Sequence, residues 1–132
     1  MPPMNGDTQE KPVVYIVDDD PSVSRGLGRL MKSHGYEAWV FASARELLAS
    51  GLPGADACLI IDVAMPQMDG LQLYAELCRR GCQAPAIFIT ALDDPAVRES
   101  VNRLGAAGFF RKPVDGDELL AAVKRAKTGL QR

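Results

Sequence analysis

The chain has few of the residues that build transition-metal sites and disulfide frameworks. Its 132 residues include one histidine and three cysteines. Cys78 and Cys82 stand four residues apart without further histidine or cysteine ligands beside them, and Cys58 falls in an apolar run. This set has neither the number nor the spacing of the ligands in a zinc site. An odd number of cysteines cannot pair completely, and we expect three reduced thiols.

Long apolar runs and a strong net charge are also missing. No apolar stretch approaches the ~18 residues that a membrane-spanning helix needs, and the N-terminus lacks the basic and apolar segments of a signal sequence. The formal net charge of −2 provides no general attraction for nucleic acid or for anionic membranes. We therefore expect a cytoplasmic protein whose chain binds neither nucleic acid nor membrane directly.

The composition that remains is that of one globular domain. Hydrophobic residues make up 47% of the chain and charged residues 24%, and a chain of this length buries a core without a metal or a disulfide. Residues 1–11 show no apolar periodicity. We expect them to form a flexible N-terminal arm, followed by a domain over residues 12–128 and by a C-terminal tail or the start of a linker over 129–132.

Short apolar runs alternate with amphipathic stretches five times along the predicted domain. The predicted strands cover residues 13–17, 37–41, 57–61, 86–89 and 108–111. This alternation is typical of parallel strands joined by right-handed helical crossovers, as in a doubly wound α/β fold. The third helix begins near Gly70 and is predicted to bury four side chains at helical spacing, namely Leu71, Tyr74, Leu77 and Cys78.

Polar side chains stand where four of the predicted strands end. Asp18 and Asp19 follow the first strand, and Asp62 follows the third. Thr90 follows the fourth strand and Lys112 follows the fifth. Ligands of an open α/β sheet bind outside the carboxyl ends of the strands, where the strand order reverses. If the order is 2-1-3-4-5, all five residues share one shallow pocket.

Carboxylates held this close repel one another, so either their pKa values rise or a hard cation lies among them. Mg²⁺, or Mn²⁺ in its place, prefers such oxygen ligands and leaves room for a phosphate oxygen. Lys112 and the Thr90 hydroxyl can neutralise charge on a transferred phosphoryl group. A carboxylate can also act as the nucleophile and form an acyl phosphate. The pattern therefore favours magnesium-assisted phosphoryl transfer.

The same motifs carry a specific resemblance. In this order and at these strand ends, the chain has four motifs, namely Asp18-Asp19, Asp62 before Met65-Pro66-Gln67-Met68-Asp69-Gly70, Thr90-Ala91, and Lys112-Pro113. Over residues 12–128 it resembles the CheY-like receiver domain of bacterial two-component response regulators, and in particular receivers of the FixJ/NarL class. The resemblance implies a flavodoxin-like (βα)5 fold with a parallel sheet of order 2-1-3-4-5 and helices on both faces.

The resemblance also implies roles for individual residues. Asp62 would accept a phosphoryl group from the phosphohistidine of a sensor histidine kinase. Asp18, Asp19, Asp62 and the backbone carbonyl of Ala64 would hold Mg²⁺. The methyl side chain of Ala64 cannot position a hydrolytic water, which leaves the lifetime of the phosphorylated form open.

Further residues would carry the signal away from the phosphoacceptor. Lys112 would pair with the phosphoryl group, with a cis peptide bond to Pro113. Thr90 would move toward the phosphate, next to the small Ala91, and Phe109 would turn inward. The fourth helix, fifth strand and fifth helix would then form the output surface. Phosphorylation-dependent homodimers and, if the chain is a fragment, a C-terminal DNA-binding domain are the expected partners of that surface.

Two other functions are compatible with parts of the pattern. A pseudo-receiver would use the same fold only as a binding module, without phosphorylation. A phosphatase of the haloacid-dehalogenase type also uses an Asp-x-Asp motif, here Asp18 to Asp20, but it requires Thr or Val where this chain has Ser22. The acidic run could also cap the first helix, a role that one acid, Asp20, would fulfil. We expect a phosphoacceptor domain rather than an enzyme.

Overall fold

The computed structural model describes residues 12–92 and 94–130. Within them five strands and five helices alternate, namely β1 (Val13–Val17), α1 (Pro21–Ser33), β2 (Glu37–Phe41), α2 (Ala44–Ala49), β3 (Cys58–Asp62), α3 (Gly70–Arg79), β4 (Ala86–Thr90), α4 (Pro95–Arg103), β5 (Gly108–Arg111) and α5 (Gly116–Leu130). The third strand lies one residue later than predicted and the fourth ends one residue later. Asp62 and Thr90 are therefore the last residues of their strands. The predicted arm of residues 1–11 lies outside the described residues, as do residues 131–132 of the predicted tail.

The strand order in the described chain is β2-β1-β3-β4-β5, and neighbouring strands pair in parallel. The prediction of a flavodoxin-like doubly wound sheet is therefore confirmed. Because all the strands run parallel, their carboxyl ends lie at the same edge of the sheet, and the strand order reverses between β1 and β3. That edge is where ligands bind in folds of this type.

Helices cover both faces of the sheet, because successive side chains of a strand point to opposite faces. Tyr15 and Val17 belong to a core that includes residues of α2, α3 and α4. Val14 and Ile16 belong to a second core that includes residues of α1 and α5. Every residue of β3 and β4 is buried. Burial on both faces explains why these strands read as uninterrupted apolar runs rather than alternating ones.

Short polar side chains fix where the helices begin. Asp20 caps α1, since its Oδ1 accepts a hydrogen bond from the Ser22 amide at 3.0 Å. Asp69 and Gln72 form a reciprocal capping box at the start of α3. Each such cap satisfies amides that the helix leaves without an internal partner, and it stabilises the helix by about 1 kcal/mol. The role predicted for Asp20 is thus confirmed, and the two acids before it are available to the site.

Helix α3 buries Gly70, Leu73, Tyr74 and Leu77. The prediction that Cys78 lies on this face is wrong, because its side chain is exposed. The buried positions follow the spacing i, i+3, i+4 and i+7 from Gly70, so the buried face is centred one residue earlier than predicted. Cys78 therefore lies outside the core.

The buried hydroxyl of Tyr74 is expected to contribute measurably to stability. It donates a hydrogen bond to the Ala84 carbonyl at 3.2 Å, and the Tyr74 ring contacts the Phe88 ring edge-on at 5.7 Å between centroids. Tyr74→Phe keeps the ring but leaves the carbonyl unpaired, which should lower the free energy of unfolding by about 1 kcal/mol. Urea denaturation checks this value. A denaturation midpoint equal to that of the wild type would contradict it.

Candidate functional site

Polar side chains end four strands at one edge of the sheet. Asp62 and Thr90 are the last residues of β3 and β4, whereas Asp18 and Lys112 directly follow β1 and β5. Asp18, Asp62 and Thr90 each expose 3% or less of their surface. Burying polar groups is costly unless they are paired with other groups or with a ligand. The parallel sheet thus brings these polar side chains to its carboxyl edge, the edge indicated by the polar residues that follow the predicted strands.

Three carboxylates converge at this edge. Asp18, Asp19 and Asp62 each place an oxygen within 4.8 Å of the others. The side chain of Asp19 is exposed to solvent, and those of the other two are buried. Asp18 Oδ1 accepts a hydrogen bond from the Asp20 amide at 2.9 Å, but the buried Oδ2 atom receives no well-directed hydrogen bond from the described residues. The partner of this oxygen is instead the Lys112 ammonium, 2.8 Å away.

Lys112 supplies positive charge among these carboxylates. Its Nζ lies 2.8 Å from Asp18 Oδ2 and 3.5 Å from Asp62 Oδ2. The shorter contact is an ion pair at hydrogen-bonding distance. Burial disfavours the ammonium, but the contacts with Asp18 and Asp62 outweigh burial and raise the pKa of Lys112. The peptide bond from Lys112 to Pro113 is cis.

The protonation of Asp62 is set by its surroundings. Burial, and then the negative charge of Asp18, raise the pKa of Asp62 to about 6. Lys112 and the amide of Ala64, which donates to the Asp62 carboxylate, oppose this rise without cancelling it. The Asp62 carboxylate therefore carries unneutralised charge at pH 7.

The donor set fits a hard divalent cation. Three carboxylates face one ammonium, so negative charge is in excess in this cluster. Mg²⁺ takes oxygen ligands and binds proteins through a small number of carboxylates. A soft transition metal would instead require sulfur or nitrogen ligands. These residues could therefore hold a metal ion of the oxygen-preferring class.

The predicted switch residues lie in two different surroundings. The Thr90 side-chain oxygen accepts a hydrogen bond from the Leu92 amide at 3.0 Å, so the hydroxyl is held by the loop that follows β4. Ala91 between them is exposed. Phe109 is half-buried against the core on the α2, α3 and α4 side, and it is paired in register with Phe88. Phe109 thus lies two positions before the end of β5, beneath the polar edge.

Two supporting contacts were not predicted from the sequence. Gly70 donates its amide to the Val63 carbonyl at 2.9 Å, and an added Cβ at Gly70 would lie 2.2 Å from the carbonyl oxygen of Asp62. The pair Asp69-Gly70 indicates a helix start, but it does not reveal this close approach. The hydrogen bond that Thr90 accepts from the Leu92 amide is a local turn of the kind that Ser and Thr hydroxyls form, and a threonine alone is only a weak signal for it.

A family model described as the response regulator receiver domain matches residues 14–124. The chain belongs to this family. It is therefore a phosphoacceptor signalling module rather than an enzyme, which sets aside the phosphatase alternative. Membership of the receiver family also implies a histidine kinase as partner.

Known proteins similar to this receiver include several regulators. The chain is 40% identical over 116 residues to "Nodulation protein W" of Bradyrhizobium diazoefficiens, covering 88% of the chain and 51% of that protein. It is 36% identical over 111 residues to "Transcriptional regulatory protein FixJ" of Azorhizobium caulinodans, covering 84% of the chain and 53% of that protein. The solved structure of the response regulator StyR superposes with a TM-score of 0.82 at 36% identity, covering 89% of this chain and 60% of that one.

The receiver spans about half the length of the curated relatives it matches. Among them are proteins named as transcriptional regulators, and the predicted likeness to FixJ-type receivers is confirmed. No helix among residues 12–92 and 94–130 is both long and apolar enough to cross a membrane.

Proposed function

We propose that this receiver is a phosphorylation-dependent switch in which Asp62 accepts a phosphoryl group from the phosphohistidine of a sensor histidine kinase. The observation that carries the proposal is the convergence of Asp18, Asp19 and Asp62 within 4.8 Å, with Lys112 in contact with two of them. In the transfer, a carboxylate oxygen forms a bond to phosphorus as the bond from phosphorus to the histidine nitrogen breaks. The product is an acyl phosphate.

Asp62 is better placed than Asp18 to be the nucleophile. Asp18 is held by Lys112 at 2.8 Å and by the Asp20 amide at 2.9 Å. Asp62 lies farther from the ammonium, at 3.5 Å, and its raised pKa shows that its charge is incompletely compensated. A less stabilised carboxylate is the more reactive nucleophile, because less interaction energy is lost as its charge moves onto the phosphoryl group.

We assign the cation site to Asp18, Asp19, Asp62 and the backbone carbonyl of Ala64, with Mg²⁺ or Mn²⁺ as the ion. When bound, the ion supplies charge neutralisation for the phosphoryl oxygens. Lys112 adds a second positive charge from its position between Asp18 and Asp62. Thr90 offers a hydroxyl donor from the neighbouring strand. The excess of three carboxylates over one ammonium in this cluster supports the assignment.

Phosphorylation is expected to change the contacts of Thr90 first. We infer that the hydroxyl rotates toward the phosphoacceptor when it donates to a phosphoryl oxygen, and that this rotation breaks the hydrogen bond that it accepts from the Leu92 amide. The space next to Thr90 would then admit Phe109, and the surface of α4, β5 and α5 would rearrange. A change in the hydrogen bonds of the Thr90 hydroxyl can in this way shift the equilibrium between two conformations of the α4, β5 and α5 surface.

We further propose that this surface controls a C-terminal DNA-binding domain or a phosphorylation-dependent homodimer. The support is the length of the named relatives, which are about twice as long as the stretch they share with this chain. Sequencing the reading frame on either side of the 132 residues tests the first possibility. Sedimentation of the beryllofluoride-treated protein tests the second.

The phosphoacceptor is tested by mass spectrometry of intact protein after incubation with Mg²⁺ and acetyl phosphate. We expect the wild type to gain the mass of one phosphoryl group, and Asp62→Asn to gain none. Asp117→Asn, which changes an exposed acid in the first turn of α5, is the matched control and should gain the same mass as the wild type. Excess EDTA should prevent the gain.

The alternative outcomes are distinct. A wild-type protein that gains no mass from acetyl phosphate, and none from a phosphorylated histidine kinase, would act as a pseudo-receiver that only binds partners. A phosphoryl group that still appears on Asp62→Asn at the wild-type rate would assign the acceptor to another residue.

The coupling to Leu92 is tested by amide NMR with beryllofluoride as a phosphoryl mimic. We expect the Leu92 amide signal to move upfield on addition of beryllofluoride, because it loses its hydrogen bond to Thr90. Thr90→Val should show the altered Leu92 signal without any addition. If the Leu92 signal and the signals of α4 stay unchanged while the Asp62 environment changes, the proposed route from phosphate to output surface is wrong.

A further inference from the structure

A cavity of about 320 Å³ lies between α2 and the loop that joins β3 to α3. Its lining includes Arg45 and Leu48 of α2, and Pro66, Gln67 and Met68 of the loop. The described residues of the phosphoryl and cation site lie outside this lining. The three loop residues belong to the motif that follows the phosphoacceptor, and the proposed phosphoryl transfer gives them no role of their own.

The loop has a rare backbone conformation where it lines the cavity. The Met68 amide donates to the Pro66 carbonyl at 2.9 Å, and Gln67 between them has a φ of 69°. A hydrogen bond that encloses one residue of positive φ forms a γ-turn of the rare, strained type. Strain of this kind in a residue with a side chain is found most often at ligand-binding and switch segments. The turn therefore marks this wall of the cavity as a candidate ligand contact.

The inner wall of the cavity is apolar. Leu48 and Met68 are half-buried and pack against the core on the α2, α3 and α4 side. Pro66 adds an exposed apolar ring to the same wall. Methionine adapts to the shape of a ligand, and its sulfur makes favourable contacts with aromatic rings. Small-molecule sites span roughly 300–1,000 Å³, so this cavity suits a small body of one or two rings.

A single cation accompanies the apolar wall. Of the described residues that line the cavity, Arg45 alone is ionisable. Its side chain is exposed, and it forms no ion pair within the part of the chain that the structure describes. The acids next to the lining residues are engaged by backbone amides: Glu46 accepts from Ala42 at 3.3 Å, and Asp69 accepts from Gln72 at 2.8 Å. The charge of Arg45 is therefore available to an anion at the open side of the cavity.

We propose that this cavity binds a small carboxylate with an apolar, ring-containing body. Arg45 pairs with the carboxylate, because its planar guanidinium matches the two carboxylate oxygens. The rings lie against Leu48 and Met68, and the burial of their apolar surface drives binding. The Gln67 side-chain amide supplies a further donor at the strained turn. Binding is noncovalent and does not depend on the proposed phosphorylation.

Titration of the purified protein with 2-naphthoate, followed by amide NMR, tests the proposal. We expect the amide signals of Leu48, Gln67 and Met68 to shift and to reach saturation. The neutral 2-naphthamide has the same two rings without the charge, and it should bind about fivefold more weakly, as expected for the loss of a solvent-accessible ion pair. Signals that do not move or do not saturate, or equal affinity for the two compounds, would overturn the proposal.

Two arginine variants locate the charge that binds the carboxylate. Arg45→Gln should weaken the binding of 2-naphthoate about fivefold and leave that of 2-naphthamide unchanged. Arg29→Gln, the matched control, removes an exposed arginine of α1 that lies outside the cavity lining, and it should bind both compounds as the wild type does. If Arg45→Gln binds 2-naphthoate as tightly as Arg29→Gln does, Arg45 does not hold the carboxylate and the proposal is wrong.

Discussion

Gly70→Ala is expected to lower the free energy of unfolding by about 3 kcal/mol. The added Cβ would lie 2.2 Å from the carbonyl oxygen of Asp62 and 2.8 Å from Cγ2 of Ile61. Contacts this short force backbone to move, since the carbonyl cannot rotate away as a flexible side chain can. Strand β3 is paired on both sides, with β1 and with β4, and the start of α3 is held by its capping box. Neither β3 nor the start of α3 can therefore move to relieve the clash without losing other interactions.

Urea denaturation of Gly70→Ala beside Gly26→Ala measures this effect. Gly26 is an exposed position within α1, and an added Cβ there meets nothing within 4 Å. Alanine at an exposed helical glycine should raise the free energy of unfolding by about 1 kcal/mol through helix propensity. The two substitutions are chemically identical and should act in opposite directions. A Gly70→Ala variant as stable as the wild type would show that α3 can shift away from β3 freely.

The arrangement of the candidate site was predictable because it depends on topology rather than on side-chain detail. Apolar runs that each end in a polar residue indicate parallel strands, and parallel strands of order 2-1-3-4-5 have only one edge where Asp18, Asp62 and Lys112 can meet. Both faces of β3 and β4 are buried. These strands are therefore apolar up to their last residue, which makes them easy to recognise in the sequence. The acids could be divided between capping and site roles, because a helix start needs only Asp20.

Other features depend on backbone geometry that no periodicity encodes. The buried face of α3 is set by how Gly70 packs on Asp62, and a rotation of one position decides whether Cys78 is inside or outside. The Leu92 amide that holds Thr90 could belong to any residue type. The left-handed conformation of Gln67, with a φ of 69°, is likewise unexpected for a residue with a side chain. The Gly70 contact depends on tertiary packing, whereas the hydrogen bond between Thr90 and Leu92 is local.

Asp62→Asn is expected to stabilise the metal-free protein at pH 7.5 by about 2–3 kcal/mol. Burial and the charge of Asp18 raise the pKa of Asp62 from 3.8 to about 6, and each pKa unit corresponds to about 1.4 kcal/mol. The folded state therefore binds the proton more tightly than the unfolded state does. Above pH 6 the ionised carboxylate destabilises the fold by the full amount, and this penalty disappears as the pH falls from 6 toward 3.8.

The stability difference between Asp62→Asn and wild type should thus shrink as the pH is lowered, which urea denaturation in EDTA at pH 7.5 and pH 4.5 measures. Asp117→Asn, at an exposed acid of α5, should change the free energy of unfolding by less than about 0.5 kcal/mol at both values. A stability gain for Asp62→Asn that is the same at pH 4.5 and at pH 7.5 would mean that repacking, not charge, is responsible.

Magnesium provides the second half of the same prediction. If the carboxylates hold the cation as proposed, Mg²⁺ binds the folded state and stabilises it in proportion to the logarithm of its concentration above Kd. We expect added MgCl₂ to raise the unfolding midpoint of the wild type at pH 7.5 and to raise that of Asp62→Asn much less, because a neutral amide replaces one of three carboxylates. The negative charge of Asp62 that destabilises the metal-free protein is thus the charge that binds the ion. If Mg²⁺ stabilised the wild type and Asp62→Asn equally, the cation would bind elsewhere.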